Sequence, residues 1–322
     1  VFLADGRLIP IRDLYESLRG PGEDPGPENL VKMPKPIPVL TFDGERVREG
    51  RATAIYRGRT KYLSQVRLRS GRSVKLTPIH RLFRFDGRGI VETAAGDLKP
   101  GDALVVPRNL PLPSRKVSLR LPPKARVADP RARAEIAAKI REESRIRGVG
   151  PTAKRLGLTK DTYWSYRLQR TAPTVEFARK LGVEVRTIRS ERSGRAIRVP
   201  KEMTPDLGEF LGLQLSEGTI KARQVVEFYN NDADLRMRYR ELLKTLFGLD
   251  GKERHDPTVS TITVSSRALA HLLETWGVPT KAKSRNLRLL DALAVATEEV
   301  VSSFLRAYAE GDGHFADEGL EI

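Results

Sequence analysis

Two acidic residues, Glu217 and Asp312, stand 95 positions apart, each directly before a glycine and each at the end of a run with a small residue at every fourth position. In PDLGEFLGLQLSEG (205–218) the small residues are Gly208, Gly212 and Ser216; in SSFLRAYAEGDG (302–313) they are Ser303, Ala307 and Gly311. On a helix such positions form one stripe. A stripe without bulk lets two helix backbones approach more closely than leucine-lined faces allow. Helices packed along these stripes bring Glu217 and Asp312 together at their C-terminal ends. The helix dipoles and the like charges both oppose that meeting, so something positive must compensate. Two neighbouring carboxylates with open oxygen positions suit Mg²⁺, and two-metal cleavage of a phosphodiester needs such a site. Taken singly, each run also reads as an ordinary amphipathic helix with a glycine C-cap. The pairing is what favours a site.

FLGLQLSEG (210–218) and LRAYAEGDG (305–313) resemble the two LAGLIDADG motifs of homing endonucleases, most of all the versions found inside archaeal inteins. Many letters differ from the family's motif, but the small and acidic positions are kept. The resemblance implies a monomeric, pseudo-twofold nuclease that cuts double-stranded DNA, with Glu217 and Asp312 as the catalytic, Mg²⁺-holding carboxylates.

Size and charge agree with a polyanionic partner. The 322 residues allow two or three domains, and the formal charge is +17. Such an excess points to nucleic acid before membrane, because no basic amphipathic helix or long apolar span accompanies it; a thermophile's surface is the blander source. The chain has no cysteine, which excludes disulfides, thiolate zinc sites and a cysteine nucleophile within it. No signal-peptide pattern opens it, so the expectation is a cytoplasmic protein. Both ends read as cut, which makes the chain a piece of a longer one.

The expected fold is α+β and multidomain. Residues 1–110 alternate apolar and polar residues between Asp-Gly and Ser-Gly turns, an all-β pattern interrupted by one helix at 11–18 and a Pro/Gly/acidic loop at 19–29. Within it, SGRSVKLTPIHRLF (70–83) followed by AGDLKPGDALVVP (95–107) resembles the B block of the Hint (Hedgehog/intein) fold, and VFLADGRLIPIRDLYE (1–16) resembles the family's A block. A TxxH pattern alone is weak, because a histidine on a strand is more often a satisfied structural residue. The blocks, however, follow in the family's order.

The resemblance implies protein splicing, which needs no cofactor. An acyl shift moves a peptide's acyl group onto a side-chain nucleophile, so the departing amide nitrogen must be protonated. His80 is the residue implied for that proton, and Thr77 the one whose hydroxyl holds the tetrahedral oxyanion. The nucleophile is expected before Val1 and a terminal His-Asn pair beyond Ile322, with host segments (exteins) in cis as partners.

Residues 111–131 are Pro-rich and basic, a linker or a pair of edge strands. Residues 132–200 read as a small helical DNA-binding insert. Residues 131–200 hold 18 Lys/Arg against 7 Asp/Glu, a net +11. GPTAKRLGLTKDTYWSYRLQR (150–170) reads as helix, glycine turn, helix, with Thr159 as N-cap. In a helix-turn-helix the second helix enters the major groove, which nominates Lys160, Tyr163, Trp164, Arg167 and Arg170 as DNA contacts, with Trp164 alternatively core. Arg186, Arg189, Arg192, Arg195 and Arg198 recur every third residue and suit phosphates along an extended strand.

From 201 to 322 the pattern fills one LAGLIDADG repeat, αββαββα, and then only the first helix of a second, truncated repeat. GVPTKAKSRNLRLL (277–290) resembles the block that carries a basic residue assisting the attacking water; Lys283 is the choice and Lys281 the reserve. The expectation is therefore a self-splicing intein with an embedded homing endonuclease, of which this piece alone neither splices nor cuts efficiently. Two alternatives stay open, a LAGLIDADG/helix-turn-helix regulator that binds DNA without cutting and an intein whose nuclease has decayed.

Overall fold

A computed structural model describes residues 1, 3–6, 9–18, 28–108, 110–111, 114–191, 194–280, 287, 289–312, 314–316 and 319–321, the last two segments as backbone only. It divides into two units, Val1–Pro113 and Ser114–Ile322.

Among the described residues of the first unit, helix α1 (Ile11–Leu18) precedes seven strands. Strands β1 (Asn29–Phe42) and β2 (Val47–Arg57) form a long antiparallel ribbon whose register jumps between Lys32 and Ile37. Pro34 and Pro36 sit in that jump, and neither can donate to the ladder. Strands β3 (Ser64–Arg67) and β4 (Ser73–Leu76) make a short hairpin, and β5 (Arg81–Phe85) pairs on either side with β6 (Ile90–Ala94) and β7 (Ala103–Leu104). The small core joins Leu14 and Tyr15 of α1 to Met33 and Ile55. The all-β reading with one helix at 11–18 matches this description; the 19–29 loop lies largely outside the described residues.

The second unit opens with β8 (Arg126–Val127), α2 (Pro130–Arg147), α3 (Val149–Leu156), α4 (Lys160–Arg167), α5 (Val175–Lys180), β9 (Thr187–Arg189) and β10 (Ile197–Arg198). It continues with α6 (Pro205–Ser216), β11 (Gly218–Lys221), β12 (Val225–Tyr229), α7 (Ala233–Phe247), β13 (Lys252–His255), β14 (Ser260–Ser265) and α8 (Arg267–Thr275). Helix α9 (Glu298–Asp312) follows, then β15 (His314–Ala316) and β16 (Gly319–Glu321). From α6 to α8 the order is αββαββα, with the strands arranged β11-β12-β14-β13 in one antiparallel sheet. Among the described residues no helix is long and apolar enough to cross a membrane.

One buried core runs from Ala125 through Val127, Ile136 and Tyr163 to Leu207, Phe210 and Ala307. The stretch read as a linker at 111–131 contributes to it. Val127 is fully buried, Met203 N–H donates to the Val117 carbonyl at 2.9 Å, and the Trp276 indole donates to the Arg120 carbonyl at 2.8 Å. The alternation of Val117, Leu119 and Leu121 outweighs the prolines around them, because each apolar side chain gains by burial. The helical insert is accordingly continuous with the αββαββα repeat, not a separate body.

Helix α6 starts where Thr204 caps it, accepting from Leu207 N–H at 3.3 Å, with Pro205 in the first turn. It is buried on nearly every side, as suits a helix apolar all round. Helix α9 opens on Glu298 and Glu299, which complement its dipole. The two run in the same direction in close contact. An alanine Cβ at Gly208 would lie 2.6 Å from the Val300 carbonyl oxygen; at Gly212 it would lie 2.5 Å from the Phe304 carbonyl oxygen and 2.9 Å from Ala307 Cβ. Opposite Gly208 stands Val300, one turn earlier than the Ser303 expected from the stripe.

This seam gives a test with a decisive sign. In an unpacked helix Gly→Ala raises stability by about 1 kcal/mol. Here Gly212→Ala is expected to lower it by about 2 kcal/mol, because the methyl group forces two backbones apart. Urea denaturation of the chain measures the difference, and a more stable variant would mean that the seam is open.

Candidate functional site

Helix packing brings the two acidic residues to one end of the unit. Ser216 packs on Gly311, and a Cβ on Gly311 would come within 3.1 Å of Glu217 Cγ, so the Glu217 side chain lies along the residue just before Asp312. Glu217 ends α6, with its N–H on the Leu213 carbonyl at 3.0 Å and its own carbonyl accepting from Tyr229 N–H at 3.1 Å. That bond ties the helix end to strand β12. Glu217 is half-buried and Asp312 exposed. Burial first, and then the charge of Asp312, push the Tyr308 hydroxyl above its ordinary value.

The donors nominated by the sequence are two hard carboxylates. Among the described residues no cluster of three or more His, Cys, Asp or Glu could hold a metal ion. A pair of carboxylates with the remaining positions left to water and substrate oxygens fits Mg²⁺, which keeps its waters and is seldom caged by protein. Lys283 and its reserve Lys281 lie outside the described residues.

Beneath the acids sits a polar pair that the sequence reading passed over. Tyr239, fully buried, donates its O–H to Gln214 Oε1 at 2.5 Å, and burial pushes that hydroxyl far above its usual value. A Cβ at Gly218 would overlap the Gln214 amide, so the glycine after Glu217 is required by packing. The one signal in the sequence was a lone glutamine inside an apolar run.

In the first unit Thr77 and His80 begin and end a tight turn between β4 and β5. His80 N–H donates to the Thr77 carbonyl at 3.0 Å, and Pro78, with its fixed φ, occupies the second position. The 3-10 turn Ala95–Asp97 clasps it: Ala95 N–H donates to the His80 carbonyl and Gly96 N–H to the Pro78 carbonyl, both at 2.8 Å. Gly96 is fitted to that contact, since a Cβ there would meet Pro78 Cβ at 3.2 Å. His80 is exposed and precedes the strand; Thr77 is half-buried. Among the described residues neither the hydroxyl nor the imidazole has a hydrogen-bond partner.

The residues nominated for DNA divide. Gly157, at φ +66°, ends α3, and Thr159 caps α4 by accepting from Thr162 N–H at 3.2 Å, so the helix, turn and helix are where the sequence put them. Lys160, Trp164 and Arg170 are exposed, and the Arg167 guanidinium stands 4.9 Å over the Trp164 ring. Tyr163 is the exception. It is fully buried, with its oxygen accepting from Arg167 at 3.3 Å, because on α4 its side chain faces α2 and α3. Arg189 is exposed on β9, and Arg192 lies outside the described residues.

Two of the evenly spaced arginines have structural work. Arg198 donates to the Lys244 carbonyl at 2.6 Å and Arg195 to the Gly248 carbonyl at 3.4 Å, satisfying carbonyls at the C-terminal end of α7. Cations favour that end of a helix dipole. Arg186 pairs with Glu184 at 3.5 Å.

Comparison with known proteins adds the family. Residues 1–307 match the family model described as intein splicing domain. The chain is 29% identical over 321 residues to an A-type ATP synthase component of Pyrococcus abyssi, covering 98% of this chain and 25% of that protein. It is 26% identical over 347 residues to elongation factor 2 of Methanopyrus kandleri, covering 97% of this chain and 26% of that protein. The chain thus spans about a quarter of the length of the curated relatives it matches. Among solved structures, the crystal structure of the TvoVMA intein is 37% identical, covering 32% of this chain and 62% of that one with a TM-score of 0.29. With the family model extending from the first strands through most of α9, and with archaeal relatives along nearly its whole length, the chain belongs to the intein splicing domain family and is of the archaeal type.

Proposed function

We propose that the parent protein is a self-excising intein carrying a site-specific DNA endonuclease of the LAGLIDADG type. An ATP synthase component and an elongation factor have unrelated names, yet almost all of this chain matches about a quarter of each. That is the pattern of a self-contained element inserted into different hosts. In splicing, His80 hands a proton to the departing amide nitrogen while the Thr77 hydroxyl stabilises the oxyanion. The first unit would adopt the Hint fold.

The nuclease reading is carried by one observation, the closed glycine–alanine seam that ends with Glu217 against the residue before Asp312. Glu217 and Asp312 would hold Mg²⁺, which supplies Lewis-acid stabilisation of the cleaved phosphate. The two carboxylates fix where the scissile strands must lie, and Lys283 would assist the attacking water. Double-stranded DNA is the substrate, and the parent acts as a cytoplasmic monomer.

The test is metal removal. The complete parent protein, given a plasmid carrying the uninterrupted host sequence, is expected to make a double-strand break with Mg²⁺ and to stop on chelation. A break that persists without any divalent ion overturns the role given to the acid pair. Splicing without cleavage at any metal concentration points to a decayed nuclease.

A further inference from the structure

From residue 50 to residue 85 the chain carries ten Lys/Arg and not one Asp or Glu. The centre of this run is the β3–β4 hairpin. Its register sets Gln65 opposite Lys75 and Arg67 opposite Ser73, so these four share one face. All four are exposed. The other face carries half-buried Ser64, Val66 and Leu76 together with exposed Val74. At the tip, Leu68 N–H donates to the Arg72 carbonyl at 2.8 Å and Gly71 N–H to the Leu68 carbonyl at 3.0 Å, with Gly71 at φ +78°. The turn leaves Arg69 and Arg72 in solvent.

Where arginines of this run serve the fold, they have acidic partners. Arg81 lies 3.7 Å from Glu92, and Arg84 lies 3.7 Å from Asp102. Arg67, Arg69, Arg72 and Lys75 have none among the described residues. Four uncompensated cations on one short ribbon repel one another, a cost that a polyanion removes.

We infer that the β3–β4 ribbon of the splicing unit is a docking surface for duplex DNA, with Arg67 and Lys75 on the ribbon face and Arg69 and Arg72 at the tip contacting phosphates. Shape selects the partner. A two-stranded ribbon fits the major groove of B-form DNA, about 12 Å wide, whereas the deep, narrow major groove of duplex RNA excludes it. On the cationic face the neighbours are polar Gln65 and Ser73, while exposed Val74 lies on the opposite face, so an acidic peptide with apolar anchors is the rival occupant that the test must exclude. The ribbon belongs to the first unit and the acid pair to the second, and the ribbon's DNA contact does not depend on cleavage.

The absence of cysteine makes the test clean. Ser70→Cys at the tip of the full chain, labelled with a thiol-reactive photocrosslinker, is expected to capture a short mixed-sequence DNA duplex and not a duplex RNA or polyglutamate. Removing all four cations as R67A/R69A/R72A/K75A is expected to flatten the slope of log affinity against log salt by about 3 to 4, since each phosphate contact contributes roughly 0.9. Lys160→Ala with Arg170→Ala serves as the comparison, because any loss there must add to the ribbon's. Equal capture of RNA or polyglutamate overturns the inference, as does an unchanged salt slope in a folded quadruple variant. If that variant fails to fold, capture at position 70 decides alone.

Discussion

Glu217→Gln in the complete parent protein is expected to cut Mg²⁺-dependent cleavage of duplex DNA on the order of a hundredfold to a thousandfold, the loss typical of one group aimed at transition-state charge. Glutamine keeps the side chain's volume, so the contact of Cγ with Gly311 survives. So does the bond from Tyr229 N–H, which goes to the backbone carbonyl. What disappears is one negative charge at the C-terminal end of a helix, beside another acid and against the dipole. Glutamine also keeps one acceptor oxygen, so folding stability is expected to change by no more than about 1 kcal/mol. This combination separates the site from the scaffold, since a damaged scaffold loses activity and stability together, whereas a removed catalytic charge loses activity alone. Asp312→Asn should do the same, and the double variant should be hardly worse than either, because the two acids act as a unit. Full cleavage by Glu217→Gln would remove the carboxylate pair from the mechanism.

The seam was legible because it is written in residue size. Gly208, Gly212, Ala307 and Gly311 state the helix contact through their pairing, since either run alone also reads as an ordinary amphipathic helix, and the spacing leaves the exact partner of Gly208 open. The Thr159 cap and the Gly157 turn were legible for the same local reason: one side chain and one left-handed residue decide each. Tyr163 was not. Whether an aromatic on a short helix faces DNA or the core depends on which side α2 and α3 cover, and that is a tertiary fact.

Charge misled in two ways. The excess in residues 131–200 drew attention to the insert, although Arg195 and Arg198 are occupied with the end of α7. The acid-free run at residues 50–85 has a slightly lower net charge, +10 against +11, but concentrates it in half the length. Net charge counts residues, whereas a binding surface needs cations without internal partners, and only pairing reveals those. Of the two readings of residues 111–131, a linker or a pair of edge strands, the strand pairing at Arg126–Val127 and the bridge of Ser118 to Glu202 lie nearer the second. Prolines break hydrogen-bond ladders, but they do not stop Val127 from burying its side chain.

His80→Ala in the full-length precursor is expected to slow thiol-induced N-terminal cleavage by about 10²–10⁴-fold, the usual worth of a positioned proton donor. The geometry makes the result readable. The turn that carries His80 is held by main-chain bonds from Ala95 and Gly96, which alanine leaves in place. The ring is exposed and makes no hydrogen bond to any described residue, so its loss should change stability by no more than about 0.5 kcal/mol. A structural histidine would give the opposite pair of results, a marked fall in thermal midpoint with a modest fall in rate. The Thr77 hydroxyl supplies an internal comparison. Thr77→Val keeps the branched shape and the backbone carbonyl that accepts from His80, and removes only a donor to the oxyanion, so its effect should be smaller than that of His80→Ala. Cleavage at the normal rate in folded His80→Ala would mean that the departing nitrogen takes its proton from elsewhere, and the turn would then be a structural corner of the splicing unit.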